Sequence, residues 1–258
     1  MAWQCSGSTN VELIRNMHRK GIITNLRVMN AMLKVDRAHY APSRPYEDAP
    51  QPIGWGATIS APHMHASAAG ALLPFLRQGA RVLDIGSGSG YLTAVLTELV
   101  LDQCNDNVCK EDRELNAKVA QAKVVGVEHI LQLRELGENN LKKSERGREL
   151  ISAGLIRFVL ADGRKGWCGD GQDDGQDDAY KASGWDAIHV GAAAKELHKE
   201  LIDQLRCPGR LFIPVEDFET KEQWIWQVDK DKDGSITKVR REAVRYVPLT
   251  EKPHTNYT

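Results

Sequence analysis

Nowhere in this chain do 18 apolar residues stand in a row, the length that a membrane-crossing helix needs. The opening Met1-Ala-Trp-Gln-Cys-Ser-Gly7 lacks the charged start and apolar core of a secretory leader. A soluble, unsecreted, cytoplasmic protein is therefore expected. Cysteines are few and odd in number. Cys5, Cys104, Cys109, Cys168 and Cys207 contain no Cys-x-x-Cys pair, which argues against a disulfide framework and a zinc site and leaves reduced thiols as the expectation. An excess of one charge is missing too: 34 basic residues against 35 acidic ones give a formal net charge of −1. Without a lysine- or arginine-rich tract, the electrostatic footprint of a nucleic-acid binder is absent. Neither nucleic acid nor membrane is expected as a partner, and a monomer is the default.

With 258 residues, 41% hydrophobic and 27% charged, the chain can bury one full core. We expect a single catalytic domain over 1–258, with a helical cap and arm over 1–56 and a core over 57–258. Thr9-Asn-Val-Glu12 predicts a capping box, each side chain reaching the other's backbone N–H, followed by a helix to about Gly21. A second helix, near Asn25 to Val35, carries Val28, Met29, Met32 and Leu33 on one face. Tyr40 to Gly56, with four prolines, reads as an extended arm. Strand candidates follow at Val82–Ile85, Val124–Glu128, Ile156–Leu160, Trp185–Val190 and Gly209–Val215, separated by helical or loop material, which predicts an α/β doubly wound, mainly parallel sheet. Gln223–Val228 and Ala243–Leu249 predict a terminal antiparallel pair, for a seven-stranded sheet in all. Two polar stretches, near 101–121 and 168–183, look like surface insertions. The second repeats Gly-Gln-Asp-Asp and is expected to be mobile, with a calcium role as the alternative.

Between Arg81 and Thr93 stands Arg-Val-Leu-Asp-Ile-Gly-Ser-Gly-Ser-Gly-Tyr-Leu-Thr, a short apolar run ending in Asp84-Ile85 and then Gly86, Gly88 and Gly90. Glycines past a buried strand let the backbone turn tightly and approach a ligand. The dinucleotide pattern would need a third glycine where Tyr91 stands. The spacing found here resembles motif I of the S-adenosylmethionine-dependent methyltransferases, and Asp84 fits as an acceptor for the cofactor's ammonium group. An ordinary glycine-rich strand-to-helix turn is the alternative.

Upstream lies Gly54-Trp-Gly-Ala-Thr-Ile-Ser-Ala-Pro-His-Met-His-Ala66, and downstream Asp186-Ala-Ile-His-Val-Gly-Ala-Ala-Ala194 and Tyr246-Val-Pro-Leu-Thr250. With the glycine loop, these closely resemble the protein-L-isoaspartate (D-aspartate) O-methyltransferase family over nearly the whole chain. The resemblance implies a cytosolic repair enzyme that uses S-adenosyl-L-methionine. Its acceptors would be isoaspartyl residues, and D-aspartyl ones as well, in damaged proteins and peptides. It implies Ser60 as the catalytic hydroxyl and His65 against the cofactor, with Asp84 to Gly90, among them Gly86, Ser87 and Gly88, around the methionine part. Glu128 falls at the ribose, Asp162 and Gly163 beside the adenine, Thr250 in the tail that approaches the substrate or cofactor pocket, and Thr58, Ile59 and His129 among the cofactor-binding residues. No metal is implied. Plainer readings stand beside these roles: Ser60 as a helix N-cap before Pro62, His63 and His65 as surface or core residues, His189 as a satisfied core residue, and Glu128 as the opening of the next helix.

Enzymes that methylate an amide or a base amine usually carry an Asn/Asp-Pro-Pro-Tyr/Phe segment after the fourth strand. Here that place holds His189-Val-Gly-Ala-Ala-Ala194. A carboxylate acceptor, with a pKa of about 4, is ionised at neutral pH and needs no general base. Asp229 to Arg240 begins like a calcium loop, but position 12 is Arg240 and the flanks read as strands, so a hairpin turn is expected. Two other functions remain open at this stage: a methyltransferase for another acceptor, and an inactive methyltransferase-like binding module.

Overall fold

The computed structural model describes residues 5–102, 122–169 and 184–250. Most of the two expected insertions, and with them the expected mobility and calcium role of the acidic repeat, lie outside the described residues. Within the first insertion's expected span, Leu101 is the last residue of a helix and Asp102 its cap.

Helix α1 (Asn10–Arg19) begins where the capping pattern predicts, with the Thr9 side chain accepting from the Glu12 N–H. The return arm differs. The Glu12 carboxylate takes the N–H and hydroxyl of Ser8, at 2.8 and 2.6 Å, because Ser8 presents two donors to one oxygen where Thr9 offers a single N–H. The helix stops two residues before Gly21, which turns the chain at φ 74°. Leu13, Ile14 and Met17 are buried against helix α2 (Leu26–Lys34), which Asn25 caps. The expected extended arm closes into a hairpin of β1 (Gln51–Gly54) and β2 (Ala57–Ile59), whose two-residue loop, Trp55-Gly56, has φ of 50° and 72°. Two positive φ values in a two-residue loop match the twist of a hairpin.

The main sheet runs in the order β5 (Ile156–Leu160), β4 (Lys123–Glu128), β3 (Arg81–Ile85), β6 (Trp185–Val190), β7 (Leu205–Glu216), β8 (Gln223–Lys230), β9 (Ile236–Val244). The first five are mutually parallel, and β8 and β9 join antiparallel. Helices α3 (Pro62–Leu72), α4 (Tyr91–Leu101), α5 (Leu131–Leu141), α6 (Glu145–Ser152) and α7 (Lys199–Asp203) accompany them. The strand order reverses beside β3, so the carboxyl ends of β3 and its neighbours open onto the crevice where such sheets bind ligands.

Two strands differ from expectation. Strand β7 starts at Leu205, with a register shift between Trp185 and Ala187 taking up the Pro208-Gly209 interruption that hides its beginning in the sequence. Strand β9 lies earlier than the expected Ala243–Leu249. It is exposed almost throughout, so it lacks the apolar alternation that would mark it, and pairing to β8 holds it in place. The loop with calcium-like acids is the turn between these strands, closed by Asp231 N–H on the Ser235 carbonyl at 2.9 Å. After β9 the chain leaves the sheet, and Val247 and Leu249 bond the backbone of Ala193 beyond the end of β6. Among the described residues, no helix is long and apolar enough to cross a membrane.

Candidate active site

At the end of β3, Gly86, Gly88 and Gly90 take φ of 73°, 48° and 80°, a left-handed run that side chains resist. The N–H groups of Gly86 and Ser87 both bond the Val127 carbonyl, which folds the loop back over β4. The approach is close: a Cβ on Gly126 would lie 2.7 Å from the Phe158 ring and 3.0 Å from the Ser87 Cβ. The Ser87 side chain therefore faces the sheet, with its hydroxyl buried and unpartnered. Beneath the loop, Asp84 is 1% exposed. One of its oxygens lies 2.7 Å from His189 Nδ1, and the other accepts from the Thr93 hydroxyl at 2.6 Å. A buried carboxylate needs such partners. Asp84 thus braces the loop from below, and His189 is a satisfied buried residue that also stacks on Phe212.

Above the loop is a cavity of about 260 Å³. Gly86, Gly88 and Gly191 give it a floor of bare backbone; Val127, Ile130 and Leu133 form an apolar wall; and Val247 to Thr250 of the tail cross it opposite the β1–β2 hairpin. Glu128 and His129 supply its polar side chains at the end of β4, and Gly163 comes from the turn after β5. Among the described residues, neither lysine nor arginine lines it. Such walls suit a nucleoside without phosphates, because a pyrophosphate would call for cations or an open helix N-terminus, and the helix that starts beside Ile130 has the Glu128 carboxylate at its entry. The Glu128 carboxylate already accepts the N–H groups of His129 and Ile130 on one oxygen, at 2.8 and 3.3 Å, and that of Gly88 on the other, at 3.2 Å. Oε1, which also lies 3.1 Å from His129 Nδ1, opens helix α5, and Oε2, with the Gly88 bond alone, keeps a lone pair for a ligand hydroxyl.

A second cavity, of about 360 Å³, shares two walls with the first. The 55–64 stretch gives Trp55 to Thr58 to one cavity and Ala61, His63 and Met64 to the other; the tail gives Val247 to Thr250 to one and Glu242 to Tyr246 to the other. In the chain Ser60 falls at the seam between these two sets of residues, although it lines neither cavity. Helix α3 starts at Pro62 with Ala61 at the cap position and no side-chain cap, so Ser60 is not its N-cap. Asp48 of the arm takes that role from outside, its Oδ1 accepting the His63 N–H at 3.0 Å and lying 2.8 Å from His63 Nδ1.

Of the residues marked in the sequence, Thr58, Gly86, Gly88, Glu128, His129, Gly163 and Thr250 line the first cavity. Ile59, Ser60, His65, Asp84, Ser87 and Asp162 do not. Ile59 is buried in the hairpin, and Asp162 is bound by Arg164 at 2.8 and 3.0 Å, whose guanidinium holds the carboxyl below its ordinary range. Sequence reasoning missed Asp48, because its partner His63 is 15 residues away and no local pattern joins them.

A family model described as Protein-L-isoaspartate(D-aspartate) O-methyltransferase matches residues 8–254. A Caenorhabditis elegans protein-L-isoaspartate O-methyltransferase is 42% identical over 98% of this chain and 97% of its own length. The Triticum aestivum enzyme of that name is 38% identical over 94% and 92%. A solved Plasmodium falciparum chain carrying the same family name, in complex with S-adenosyl-L-homocysteine, superposes with a TM-score of 0.77 at 31% identity, over 95% of this chain and all of that one. The chain belongs to the protein-L-isoaspartate(D-aspartate) O-methyltransferase family.

Proposed function

We propose that this chain transfers the methyl group of S-adenosyl-L-methionine to the free α-carboxylate of L-isoaspartyl residues, and to the β-carboxylate of D-aspartyl ones, in damaged proteins and peptides. What supports the reading is a pair of cavities built by the two stretches of chain that flank Ser60 and by the tail: one with a bare glycine floor and the Glu128 carboxylate, the other flanked by apolar side chains and the exposed edge of β9. We further propose a single catalytic domain acting as a cytoplasmic monomer, in keeping with the balanced charge.

The cofactor supplies an electrophilic methyl on sulfur. Glu128 accepts from a ribose hydroxyl, and Gly86, Gly88 and Gly191 let the ligand approach bare backbone. Within the described residues no hydrogen bond engages the Ser60 hydroxyl, which is free to donate to one oxygen of the acceptor carboxylate and hold the other in line with the methyl. The acceptor is ionised, so no side chain removes a proton. Closure of the tail and hairpin over the site strips water from the carboxylate.

Paired peptides differing only in aspartyl linkage test this. An isoaspartyl linkage leaves its carboxylate one methylene nearer the main chain, and a displacement of about 1 Å costs about 100-fold in rate. The isoaspartyl peptide should accept labelled methyl at least that much faster, and its ester should then collapse to a succinimide with release of methanol. Equal rates, or transfer only to a small acid or hydroxyl compound, would sink the repair reading.

A further inference from the structure

Behind the Ser60 seam lies a guanidinium that the sequence did not single out. Arg37 stands in the 3-10 turn Arg37–His39 after α2 and is 0% exposed. Its Nη2 donates to the Ser60 carbonyl at 2.8 Å, its Nη1 lies 3.4 Å from His65 Nδ1, and its carbon sits 5.2 Å from the centre of the Tyr91 ring. Its Nε has no partner among the described residues. Burial pushes its pKa down to about 10, so it remains charged at neutral pH. Of the buried carboxylates, Asp48 acts on it through its field, yet Asp48 spends its bonded oxygen on His63. A buried cation without a carboxylate contact is costly, and an apolar side chain of similar volume would often be as stable or more so. Packing alone does not account for this residue.

Its bonding has a chemical consequence. A guanidinium has donors and no acceptor. His65 Nδ1 can therefore only accept from Arg37, which makes the ring neutral with its proton on Nε2. We propose that Arg37 is a positioning residue for the methyl transfer: it clamps the Ser60 carbonyl and His65 Nδ1 together, fixing the seam hydroxyl in place and holding His65 in the neutral Nε2–H tautomer. The inference rests on the proposed function for the roles of Ser60 and His65, but its geometry does not. The groups that face His65 agree with it. Arg37 from the turn, His189 from β6 and His63 from the same helix all disfavour a proton there, in addition to burial, and the Tyr91 ring of α4 covers the ring at 5.0 Å.

The test has two arms. In the unaltered protein, nitrogen NMR of His65 should show the Nε2–H tautomer with Nδ1 unprotonated, both at neutral pH and below the ordinary imidazole value of about 6.5. An Nδ1–H tautomer, or ordinary titration near 6.5, overturns the inference without touching the proposed activity. In the second arm, Arg37→Met should lower kcat for the isoaspartyl peptide at least about tenfold through the loosened Ser60 segment. Its affinity for S-adenosyl-L-homocysteine should stay within about twofold, since Arg37 is absent from the lining of the first cavity. Nitrogen NMR of that variant should also show His65 leaving the fixed Nε2–H tautomer, since the guanidinium that donates to Nδ1 is gone. Arg37→Lys keeps the charge but lacks the planar fork that spans the two acceptors, so it should lower kcat as well. Unchanged kcat in a folded Arg37→Lys, or an unchanged His65 tautomer in a folded Arg37→Met, overturns the inference. Wild-type protein that fails to methylate the isoaspartyl peptide would instead sink the proposed function.

Discussion

Residues of opposite legibility meet at this site. The glycines announce themselves because they follow the end of an apolar strand, where composition and spacing can be read together, while Ser60 and Glu128 stand out through the resemblance of their segments to the family. Arg37 and Asp48 are silent in the sequence because their meaning is a contact with residues 23 and 15 positions away. Two substitutions test the legible ones. Glu128→Ala removes a charge-assisted acceptor and should weaken S-adenosyl-L-homocysteine binding by about 1.5–3 kcal/mol in calorimetry. Part of that loss comes through the loop, because the carboxylate also holds the Gly88 N–H. Ser60→Ala should cut turnover with little change in cofactor affinity. It should also leave the melting temperature unchanged, because Asp48 and not Ser60 caps helix α3; a loss of about 1 kcal/mol with normal turnover would return Ser60 to a capping role.

At the scale of elements, the five parallel strands were legible because buried strands read as short apolar runs between helices. The β1–β2 hairpin was not, since its turn needs Trp55 at positive φ, a conformation that no local rule assigns to tryptophan. Strand β9 failed to show for the opposite reason: a strand with an exposed face on both sides has no alternation to read. The glycine loop and strand β4 form one tightly layered unit, with Gly126 between Phe158 and Ser87. Gly126→Ala should therefore overpack that layer and destabilise the protein by about 1–3 kcal/mol in urea titrations. The loop should shift as well, so cofactor affinity should fall with stability. Unchanged stability would mean that Phe158 has room to turn aside. Filling the second cavity is expected to do the reverse: Val244→Trp at its rim should raise KM for peptide acceptors while S-adenosyl-L-homocysteine affinity stays constant, as steady-state rates and calorimetry on one preparation would show.

For the whole molecule, a net charge of −1 hides an uneven interior, in which a guanidinium, a carboxylate pair and three imidazoles gather around one seam. His65 in that gathering, and Asp162 outside it, make stability depend on pH in two separate windows. His65 is held well below its ordinary value, first by burial and then by Arg37. The unfolded chain therefore takes up a proton at about pH 6.5 that the folded chain refuses. Above that pH both states are neutral, and His65 has no effect; below it the unfolded state binds more protons, so stability falls as pH falls. Asp162 is shifted down by Arg164, so the stability it contributes is present above the ordinary carboxylate range and is lost only below about pH 4. Thermal unfolding should accordingly be insensitive to pH between about 7 and 8 and then decline below about 6.5, with a slope approaching about 1.4 kcal/mol per pH unit for one proton. His65→Gln cannot take up that proton in either state. It should flatten the upper window and leave the carboxylate-linked loss below about pH 4 in place. Melting curves of the two proteins from about pH 2 to 8 decide the matter, and parallel declines in both would remove His65 as the origin of the upper window.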